Sequence, residues 1–491
     1  MNAYLYNNTH LPHPVVTLPE PSQILIGKCI FVLLVACLHS LSAGVMVAFP
    51  SVLNPALLSP NSTDITADRN QASWIASING ISGTVGFFIL SPIFQSFGRK
   101  PVNITVNVIM FFGWITLATA SNLTMLFIAR AIQGLTVGGV FIAAVTLSEY
   151  STPKRRGYFM TLKKISIGLG SLTCHTLALV CTWPQIAGIC IIPISLAILF
   201  TLLWPESPSY LAMKGRFDEC EKAFIWLNGS SLESKMELKE LINAQMEQHE
   251  LKKKTENLSQ IKKFYRQLNN REMLKACFIV ALVTLCIDAC GRYFLLAYLT
   301  QILEEITGSN SVAMYGSIIS DLLLITALAV SCCVIRVFDR RTLLFGLGSV
   351  TILLMFIISI AIFTKSNYDF LSNLTWLIPC LILLHSFIAS VGIIPVAFTI
   401  SSEVFPLEHR GLCSCISGVA FTIFYAATLK LTPLMIEHTG VSGTYTIYAL
   451  IVSFCLAILY VILPETKDKT LQQIENEMKG KSDKSTRLLT N

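Results

Sequence analysis

The sequence predicts an all-α membrane protein with twelve transmembrane helices in two pseudo-symmetric six-helix halves. Hydrophobic residues make up 53% of the 491 residues and charged residues 13%, against about 25% charged in an ordinary soluble domain. Twelve apolar runs are long enough to cross about 30 Å of hydrocarbon as helix. A polar motif also occurs twice between such runs, with an acid and, seven positions later, a base: Glu149 to Arg156, and Glu403 to Arg410. This repetition indicates a duplicated unit.

The first half is predicted over residues 24–208, after a polar cytoplasmic tail at 1–23. Its apolar runs lie near 24–49, 74–96, 101–120, 123–147, 158–181 and 185–204. The second half is predicted over 273–464, with runs near 273–301, 312–335, 342–364, 375–400, 411–436 and 444–463, and a cytoplasmic C-terminal tail follows at 465–491. In lipid, only a helix satisfies its own backbone hydrogen bonds over runs of this length.

A cytoplasmic linker is predicted at 209–272, between the sixth and seventh runs. It is rich in Lys and Glu, with apolar residues at helical spacing such as Phe217, Phe224 and Leu227. This pattern predicts short amphipathic helices on the inner surface. A plain linker and a regulatory segment both remain open.

The distribution of basic residues predicts which side of the membrane each loop occupies. With the N-terminus inside, the outer loops carry only Arg69 and Lys365, and the short inner loops carry Arg99, Lys100, Lys154, Arg155, Arg156, Arg336, Arg340, Arg341 and Arg410. Cytoplasmic loops are the ones enriched in Lys and Arg, so both termini are expected in the cytoplasm. The sequons at Asn61 and Asn373 then fall outside and are candidate glycosylation sites.

Composition and motifs also exclude several function classes. The net charge of +7 gives no reason to expect nucleic acid binding, because the bases cluster at the ends of apolar runs and in one polar loop. The 15 cysteines lie mostly inside apolar runs, as small buried hydrophobes do, and no zinc spacing occurs. No GxxxxGK[ST] phosphate loop is present. We therefore expect no metal, no cofactor and no enzyme or ATP-driven pump, but a monomer in a lipid bilayer that handles a small solute.

Two further motifs recur in the two halves. Gly98-Arg99-Lys100 follows the second run and Asp339-Arg340-Arg341 follows the eighth. Pro205-Glu206-Ser207 closes the sixth run and Pro464-Glu465-Thr466 closes the twelfth. Parallel six-helix repeats are the plan of a transporter whose site lies between the halves near the middle of the membrane.

These residues resemble the sugar porter family of the major facilitator superfamily over nearly the whole chain. The similar motifs are Trp74-Ile75 with Gly86 and Pro92, Arg130-Ala-Ile-Gln-Gly with Gly138-Gly139, Pro205-Glu206-Ser207-Pro208, and Pro464-Glu465-Thr466-Lys467. Within the family, Gly44-Val45 leading to Ala48-Phe49-Pro50 is similar to the insect facilitated trehalose transporter-like group. The resemblance implies alternating-access transport, most simply facilitative transport of a hexose or trehalose-like sugar across the plasma membrane.

The resemblance also implies a network of ion pairs at the inner helix ends that holds the cytoplasmic side shut and breaks as that side opens. Its members would be Arg99, Glu149, Arg156, Glu206, Arg340, Glu403, Arg410 and Glu465. Exposed pairs are worth about 0–1 kcal/mol each, which suits a switch between two states of similar free energy. Topology alone explains the bases, but it leaves the matched acids unexplained.

The expected sugar site departs from the family pattern, because most of its amide side chains are replaced. The positions that the resemblance points to are Lys164, Asp288, Arg292, Tyr293, Asp321, Phe387, Pro395 and Thr422. Charge within the membrane costs about 2.5–3.5 kcal/mol per residue and is functional by default. Three interpretations stay open: a pocket for a charged or zwitterionic solute, mutual neutralisation of Asp288 and Arg292 on one helical face, and a neutral substrate bound through carboxylate–hydroxyl bonds.

Coupling to protons is the last open point. Family symporters carry an acid in the first helix at the position of Ser42, so by resemblance its absence favours facilitated diffusion. Asp288, Asp321 or His39 could take over that role. A carrier for a charged solute, possibly coupled to protons, and a non-transporting sugar sensor are the alternative functions.

Overall fold

The computed structural model of the chain describes residues 23–59, 65–151, 153–229, 231–254, 271–367, 376–405 and 410–467. Within these ranges the secondary structure is helical, and no strand occurs in them. This agrees with the sequence, because long apolar segments in hydrocarbon must bond their backbone groups internally.

The helices fall into two sets separated by three helices that are not crossings, which we call the polar helices. The first set is α1 (Gln23–Ala48), α2 (Pro50–Leu58), α3 (Arg69–Ser96), α4 (Arg99–Ala118), α5 (Leu123–Gly134), α6 (Val137–Glu149), α7 (Pro153–Leu177) and α8 (Trp183–Leu202). The polar helices are α9 (Pro208–Met213), α10 (Phe217–Asn228) and α11 (Leu232–Lys254). The second set is α12 (Arg271–Ala289), α13 (Arg292–Thr307), α14 (Asn310–Val337), α15 (Arg340–Asn367), α16 (Leu377–Val391), α17 (Ile393–Glu403) and α18 (Arg410–Ile462).

Ten stretches of the described residues are long and apolar enough to cross a membrane. Two more crossings follow from physical arguments. The helix α7 is long enough but carries Lys163 and Lys164, which lower its mean hydropathy. The 53 residues of α18 would measure about 80 Å as one helix, far more than the hydrocarbon thickness. Its backbone leaves helical geometry at Gly440, where φ is +70°, so α18 holds two crossings. Twelve crossings fit the predicted fold.

Four of the crossings are interrupted, and the interruptions match between the halves. The first crossing of each half breaks, between α1 and α2 and between α12 and α13. The fourth crossing of each half also breaks, between α5 and α6 and between α16 and α17. The sequence predicted that the first crossing would end at residue 49, but α2 extends it to Leu58. Pro50 is the first residue of α2, a position that tolerates proline because its missing N–H would be unpaired there in any case.

Each half has its own apolar core. The largest cluster of buried hydrophobic side chains comes from residues 273–463, with Ala76 the one member from elsewhere. A second cluster comes from residues 45–194, with Phe421 added from the other half. Within the first half α1 and α7 touch closely: a Cβ on Gly44 would lie 2.0 Å from the carbonyl oxygen of Ile167. Glycine is therefore required for this contact.

The polar helices pack on one another through a small cluster that includes Leu211, Cys220 and Phe224. Leu227 is buried against the first half. Two of the residues that predicted amphipathic helices, Phe224 and Leu227, are thus buried. The remainder of the predicted linker at 255–270 lies outside the described residues.

Candidate functional site

A small pocket of about 20 Å³ lies in the second half, where His175 of the first half meets it. Its lining comes from α7, from the interruption between α12 and α13, from α14, and from the interruption between α16 and α17. The lining residues are His175, Cys290, Gly291, Arg292, Leu295, Leu296, Leu299, Ser317, Ser320, Asp321, Leu324, Ser386, Ala389, Ser390 and Ile394. Four serines, one arginine, one aspartate and one histidine therefore line the same space. Hydroxyl groups both donate and accept hydrogen bonds, so this lining suits a solute that carries many hydroxyl groups.

The two helix interruptions explain why polar groups can line the pocket. Gly291 has a φ of +103°, in the left-handed region that glycine adopts without steric cost. Gly392 lies between α16 and α17 with φ −99° and ψ −86°. Non-helical backbone at membrane depth is tolerated where it is enclosed by protein or lines a cavity. These interruptions place polar groups at the pocket and not toward lipid.

Three buried side chains form a hydrogen-bonded chain beside the pocket. His175 Nδ1 lies 2.5 Å from Oδ2 of Asp321, and His175 Nε2 lies 2.6 Å from Oγ of Ser51. The side chains of His175 and Asp321 are 7% and 2% exposed. Ser51 and His175 belong to the first half and Asp321 to the second, so this chain joins the halves.

Asp288 and Arg292 do not share a face of one helix. Gly291 ends the helical path between them, and the i,i+4 relation holds only in a continuous helix. Asp288 is fully buried, with no hydrogen-bond partner for either carboxylate oxygen. Arg292 is half-buried, lines the pocket and lies 6.0 Å from the ring centre of Tyr293. Of the two, the structure brings only Arg292 to the pocket.

Aromatic residues fill the contact between the halves next to the pocket. The ring of Tyr293 lies 5.6 Å from that of Phe421 and 5.0 Å from that of Tyr425. Thr422 is buried, and its hydroxyl lies 2.9 Å from that of Thr84 in the first half. Thr422 thus contacts the first half, as does Phe421, whose ring lies 5.5 Å from that of Phe141; neither Tyr293 nor Thr422 lines the pocket.

The remaining predicted site residues do not line the pocket. Lys164 is exposed on α7, whereas its neighbour Lys163 is buried and donates to the carbonyl of Val140 at 2.8 Å. Phe387 is half-buried and Pro395 is buried; their neighbours Ser386 and Ile394 line the pocket. Asn61 and Asn373, the candidate glycosylation sites, lie outside the described residues.

We call the end of the molecule that carries Arg99, Glu149, Arg340 and Glu403 the charged end. There Arg99 Nη2 lies 2.7 Å from Glu149 Oε1, and Arg340 Nη2 lies 3.5 Å from Glu403 Oε1. The first pair lies within the first half and the second pair within the second half. In the described part of the chain no ion pair joins the halves at this end, and the side chains of Arg156 and Arg410 lie outside it.

Glu206 and Glu465 occupy equivalent places at the charged end. Glu206 accepts the backbone N–H groups of Arg99 at 2.9 Å and Lys100 at 3.2 Å, at the start of α4. Glu465 does the same for Arg340 at 3.1 Å and Arg341 at 3.0 Å, at the start of α15. Each acid therefore satisfies N–H groups that a helix start leaves unpaired.

Glu465 is also held by two N–H groups of its own loop. Partial burial by itself would raise the pKa of Glu465, but the N–H groups of Lys467, Arg341, Thr466 and Arg340 together lower this pKa below its ordinary value. The hydrogen bonds to the charged Glu465 carboxylate therefore outweigh the cost of its partial desolvation.

The halves are packed together at the end opposite the charged end. There α2 packs on α13, and α3 packs on α18. Lys430 of α18 donates to Oδ1 of Asn70 at 2.5 Å and to Oγ of Ser73 at 2.8 Å, and it lies 4.3 Å from the ring centre of Trp74. Among the described residues α6 and α17, which end on Glu149 and Glu403, are not packed on each other. The ends of α6 and α17 are thus apart at the charged end, whereas α7 packs on α14 and keeps the halves in contact along one side, where Thr161 Oγ1 lies 3.2 Å from Cys332 Sγ.

A second buried polar group lies inside the first half. Arg130 is fully buried and donates to the carbonyl of Met46 and to Oε1 of Gln133, both at 3.0 Å. Ser42 accepts a hydrogen bond from the indole of Trp114 at 2.7 Å. In these bonds Arg130 is therefore held by neutral acceptors.

Sequence reasoning missed His175, Ser51 and the pocket serines. One signal was available for His175, which lies eleven residues after Lys164 and so about three helical turns further on the same face of α7. No comparable signal marked Ser51, because its partner is 124 residues away. Within the described residues no group of three or more His, Cys, Asp or Glu side chains is placed to hold a metal ion.

The chain is similar to known transporters over most of its length. The family model described as "Sugar (and other) transporter" matches residues 28–478. A facilitated trehalose transporter Tret1 from Drosophila yakuba is 26% identical over 468 residues, which cover 94% of this chain and 53% of the relative. The Tret1 of Culex quinquefasciatus is 25% identical over 475 residues, which cover 95% and 89%. The chain spans about half the length of the Drosophila relatives.

Solved structures show the same fold. The inward-open xylose transporter XylE from E. coli has a TM-score of 0.72 at 17% identity, covering 92% of this chain and 99% of that one. The proton:xylose symporter XylE bound to 6-bromo-6-deoxy-D-glucose has a TM-score of 0.70 at 17% identity, covering 94% and 100%. At this identity the likeness concerns the fold alone.

Proposed function

The chain belongs to the Sugar (and other) transporter family, and on that premise we propose that it carries a sugar across a membrane by facilitated, alternating-access transport. The observation that carries the proposal is the small pocket of the second half. It is lined by Ser317, Ser320, Ser386 and Ser390 together with Arg292 and Asp321, and His175 of the first half meets it.

The position of the pocket supports alternating access. The contacts of α2 with α13 and of Lys430 with Asn70 and Ser73 join the halves at one end, while α6 and α17 are apart at the other. Rocking of the halves about the pocket would exchange the open and closed ends. In the state whose charged end is closed, we propose that Glu149 and Glu403 each pair with a base of the other half in place of Arg99 and Arg340.

The pocket lining supports a neutral, hydroxyl-rich solute. Serine hydroxyls, the Arg292 guanidinium and the Asp321 carboxylate can each bond to a sugar hydroxyl. The names of the insect relatives make trehalose and hexoses the first substrates to test. The lack of an acid beside Arg130, where the first helix has Ser42, supports facilitated diffusion over proton coupling by the acid of family symporters.

A charged or zwitterionic solute is the second candidate. The observation in its favour is that Arg292 and Asp321 line the same pocket, so they could face the acid and the base of one solute. Their opposite charges also neutralise the pocket as a whole, which suits a sugar equally well.

The proposal extends to the setting of the protein. From the bias of Lys and Arg we propose that the charged end and both termini lie in the cytoplasm, so that the structure would face inward. We propose the plasma membrane as the site of action and the monomer as the working unit, since the pocket is built from one chain.

The test is uptake into proteoliposomes that contain the purified protein, across trehalose, D-glucose, D-xylose, a zwitterionic amino acid and an organic acid, at pH 6.0 and 7.5. We expect saturable uptake of at least one sugar that stops at equal concentrations inside and outside. Uptake of the amino acid or the organic acid without any sugar would favour the second candidate and overturn the first.

Two serine variants show whether uptake uses this pocket. Ser390→Leu places an apolar side chain in the pocket and should abolish uptake. Ser349→Leu changes an exposed serine on α15 and should leave uptake unchanged. Equal uptake by both variants would move the transport site away from this pocket.

A further inference from the structure

Lys430 of α18 reaches across to the first half at the end opposite the charged end, which we call the joined end. Its ammonium donates to Oδ1 of Asn70 at 2.5 Å and to Oγ of Ser73 at 2.8 Å, and it lies 4.3 Å from the ring centre of Trp74. All three partners belong to the first two turns of α3. One side chain of the second half is therefore held by three side chains of the first half.

These three side chains have the chemistry of a receptor for an ammonium group. A lysine ammonium has three N–H donors and no acceptor, and it is attracted to the face of an indole ring within about 6 Å. Because the ammonium has no lone pair, Ser73 must accept from it, and the hydroxyl hydrogen of Ser73 goes to the carbonyl of Asn70 at 2.7 Å. The donors and acceptors of the contact are therefore assigned without ambiguity.

The place of the ammonium is not the one that a lysine near the surface adopts by default. Such a side chain extends into water, and the N-terminal end of a helix, here α3, carries a partial positive charge that repels a cation. Asp68, the N-cap of α3, lies within electrostatic range of Lys430 and opposes this repulsion, as does the negative face of the Trp74 ring. Arg69, the base at this end of α3, is exposed to water. Attraction to specific groups of α3 therefore holds Lys430 between the halves.

Deeper between the same two helices the contacts are small and uncharged. A Cβ on Gly80 would lie 2.6 Å from Cβ of Ala426, and the hydroxyl of Thr84 lies 2.9 Å from that of Thr422. Lys430 follows Ala426 by four residues, about one helical turn closer to the joined end. Rocking about the pocket moves the ends of the halves further than their middle, so the Lys430 contact must separate when the joined end opens.

We propose that the side chains of Asn70, Ser73 and Trp74 form an ammonium receptor on the first half. Lys430 occupies this receptor as a tethered cation and so clasps the joined end closed. A primary ammonium ion in solution has the same donors and the same charge, so it binds the receptor once Lys430 has left it. The consequence for transport rests on the proposed alternating access, whereas the clasp itself does not.

The clasp can be tested without any substrate by hydrogen–deuterium exchange of the whole protein in lipid nanodiscs. The measured quantity is the protection factor of α2 peptides, because α2 packs on α13 at the joined end. Lys430→Met keeps the length of the side chain and removes its charge and donors, so we expect the protection of α2 to fall about fivefold or more. The matched control is Lys365→Met, since Lys365 donates to the carbonyl of Ile306 at 2.5 Å within the second half. This control should leave the protection of α2 unchanged.

Ethylammonium chloride is the probe for the receptor, and sodium chloride at the same ionic strength is its control. In the wild type ethylammonium competes with Lys430, so it should lower the protection of α2 where sodium does not. In Lys430→Met the receptor is free in both states, so ethylammonium binds both states alike and shifts nothing. Equal action of the two salts on the wild type would overturn the receptor.

A second variant keeps the clasp testable if Lys430→Met proves unstable. Asn70→Ala changes an exposed residue and removes one acceptor of the receptor. It should lower the protection of α2 and weaken the effect of ethylammonium. Wild-type protection of α2 in both Lys430→Met and Asn70→Ala would overturn the clasp.

Transport kinetics test the consequence, with radiolabelled trehalose as the probe, or D-glucose if trehalose is not carried. Loss of the clasp raises the fraction of molecules that are open at the joined end. In Lys430→Met, KM for sugar entering from that end should therefore fall about fivefold, while KM for sugar entering from the charged end should not fall. A merely structural defect would reduce the amount of active protein and leave both KM values unchanged, and that result would refute the consequence. Absence of all uptake by the wild type would refute the transport proposal and leave the exchange result standing.

Discussion

Asp288 allows the sharpest test of the burial described above. Its side chain is fully buried, and neither carboxylate oxygen has a hydrogen-bond partner. A buried polar group without a partner costs about 1–3 kcal/mol. Leucine has a similar branched shape and loses nothing by burial, so Asp288→Leu should raise the free energy of unfolding by about 1–3 kcal/mol.

The measurement is the melting midpoint of the purified protein in detergent, at one fixed heating rate because unfolding of such a protein is governed by its rate. A gain of this size should raise the midpoint by roughly 1–3 °C, since the shift per kcal/mol shrinks as chains lengthen.

The matched comparison is Asp321→Leu, which removes a carboxylate that is equally buried but bound to His175. Breaking a buried pair costs about 3–5 kcal/mol, so this midpoint should fall. If both variants melted below the wild type, Asp288 would have a partner after all and the reasoning would fail.

Two further predictions concern packing and pH. Gly44→Ala should lower the melting midpoint by several degrees and reduce uptake, because the added Cβ would lie 2.0 Å from a backbone oxygen of α7. Gly188→Ala places its Cβ in open space and should change neither the midpoint nor uptake. Equal effects of the two variants would contradict the close contact of α1 and α7. Glu465→Gln should lower the midpoint at pH 7 but not well below pH 4. A carboxyl whose pKa is lowered by folding stabilises the protein above its ordinary value of 4.5, and this contribution is lost as the pH falls through the lowered pKa. A deficit that persists at low pH would exclude charge as its cause.

The sequence predicted the crossings and the duplicated motifs because both depend on local composition. Runs of apolar residues fix the number of crossings, and the repeated motif found Glu149 and Glu403 as a matched pair. Their partners in this structure could not be predicted in the same way. We propose that the base an acid meets at the charged end depends on which end of the molecule is closed, a property of the state of the whole protein.

Long-range contacts account for most of what the sequence left open at the site. Asp288 and Arg292 were placed on one helical face, but the left-handed conformation of Gly291 separates them. His175 was recognisable only by its position relative to Lys164, and Asp321 lies 146 residues further along the chain. Pro50 reads as the end of a helix in sequence, yet in the structure it begins one.

The matched interruptions also bear on how the two halves descend from one unit. Both copies break their first crossing, but one does so with a proline after Phe49 and the other with a left-handed glycine, Gly291. The interruption occurs in both copies, although the residue at it differs. At this interruption the relation between the two halves is therefore recognised by comparing their backbones and not by aligning their sequences.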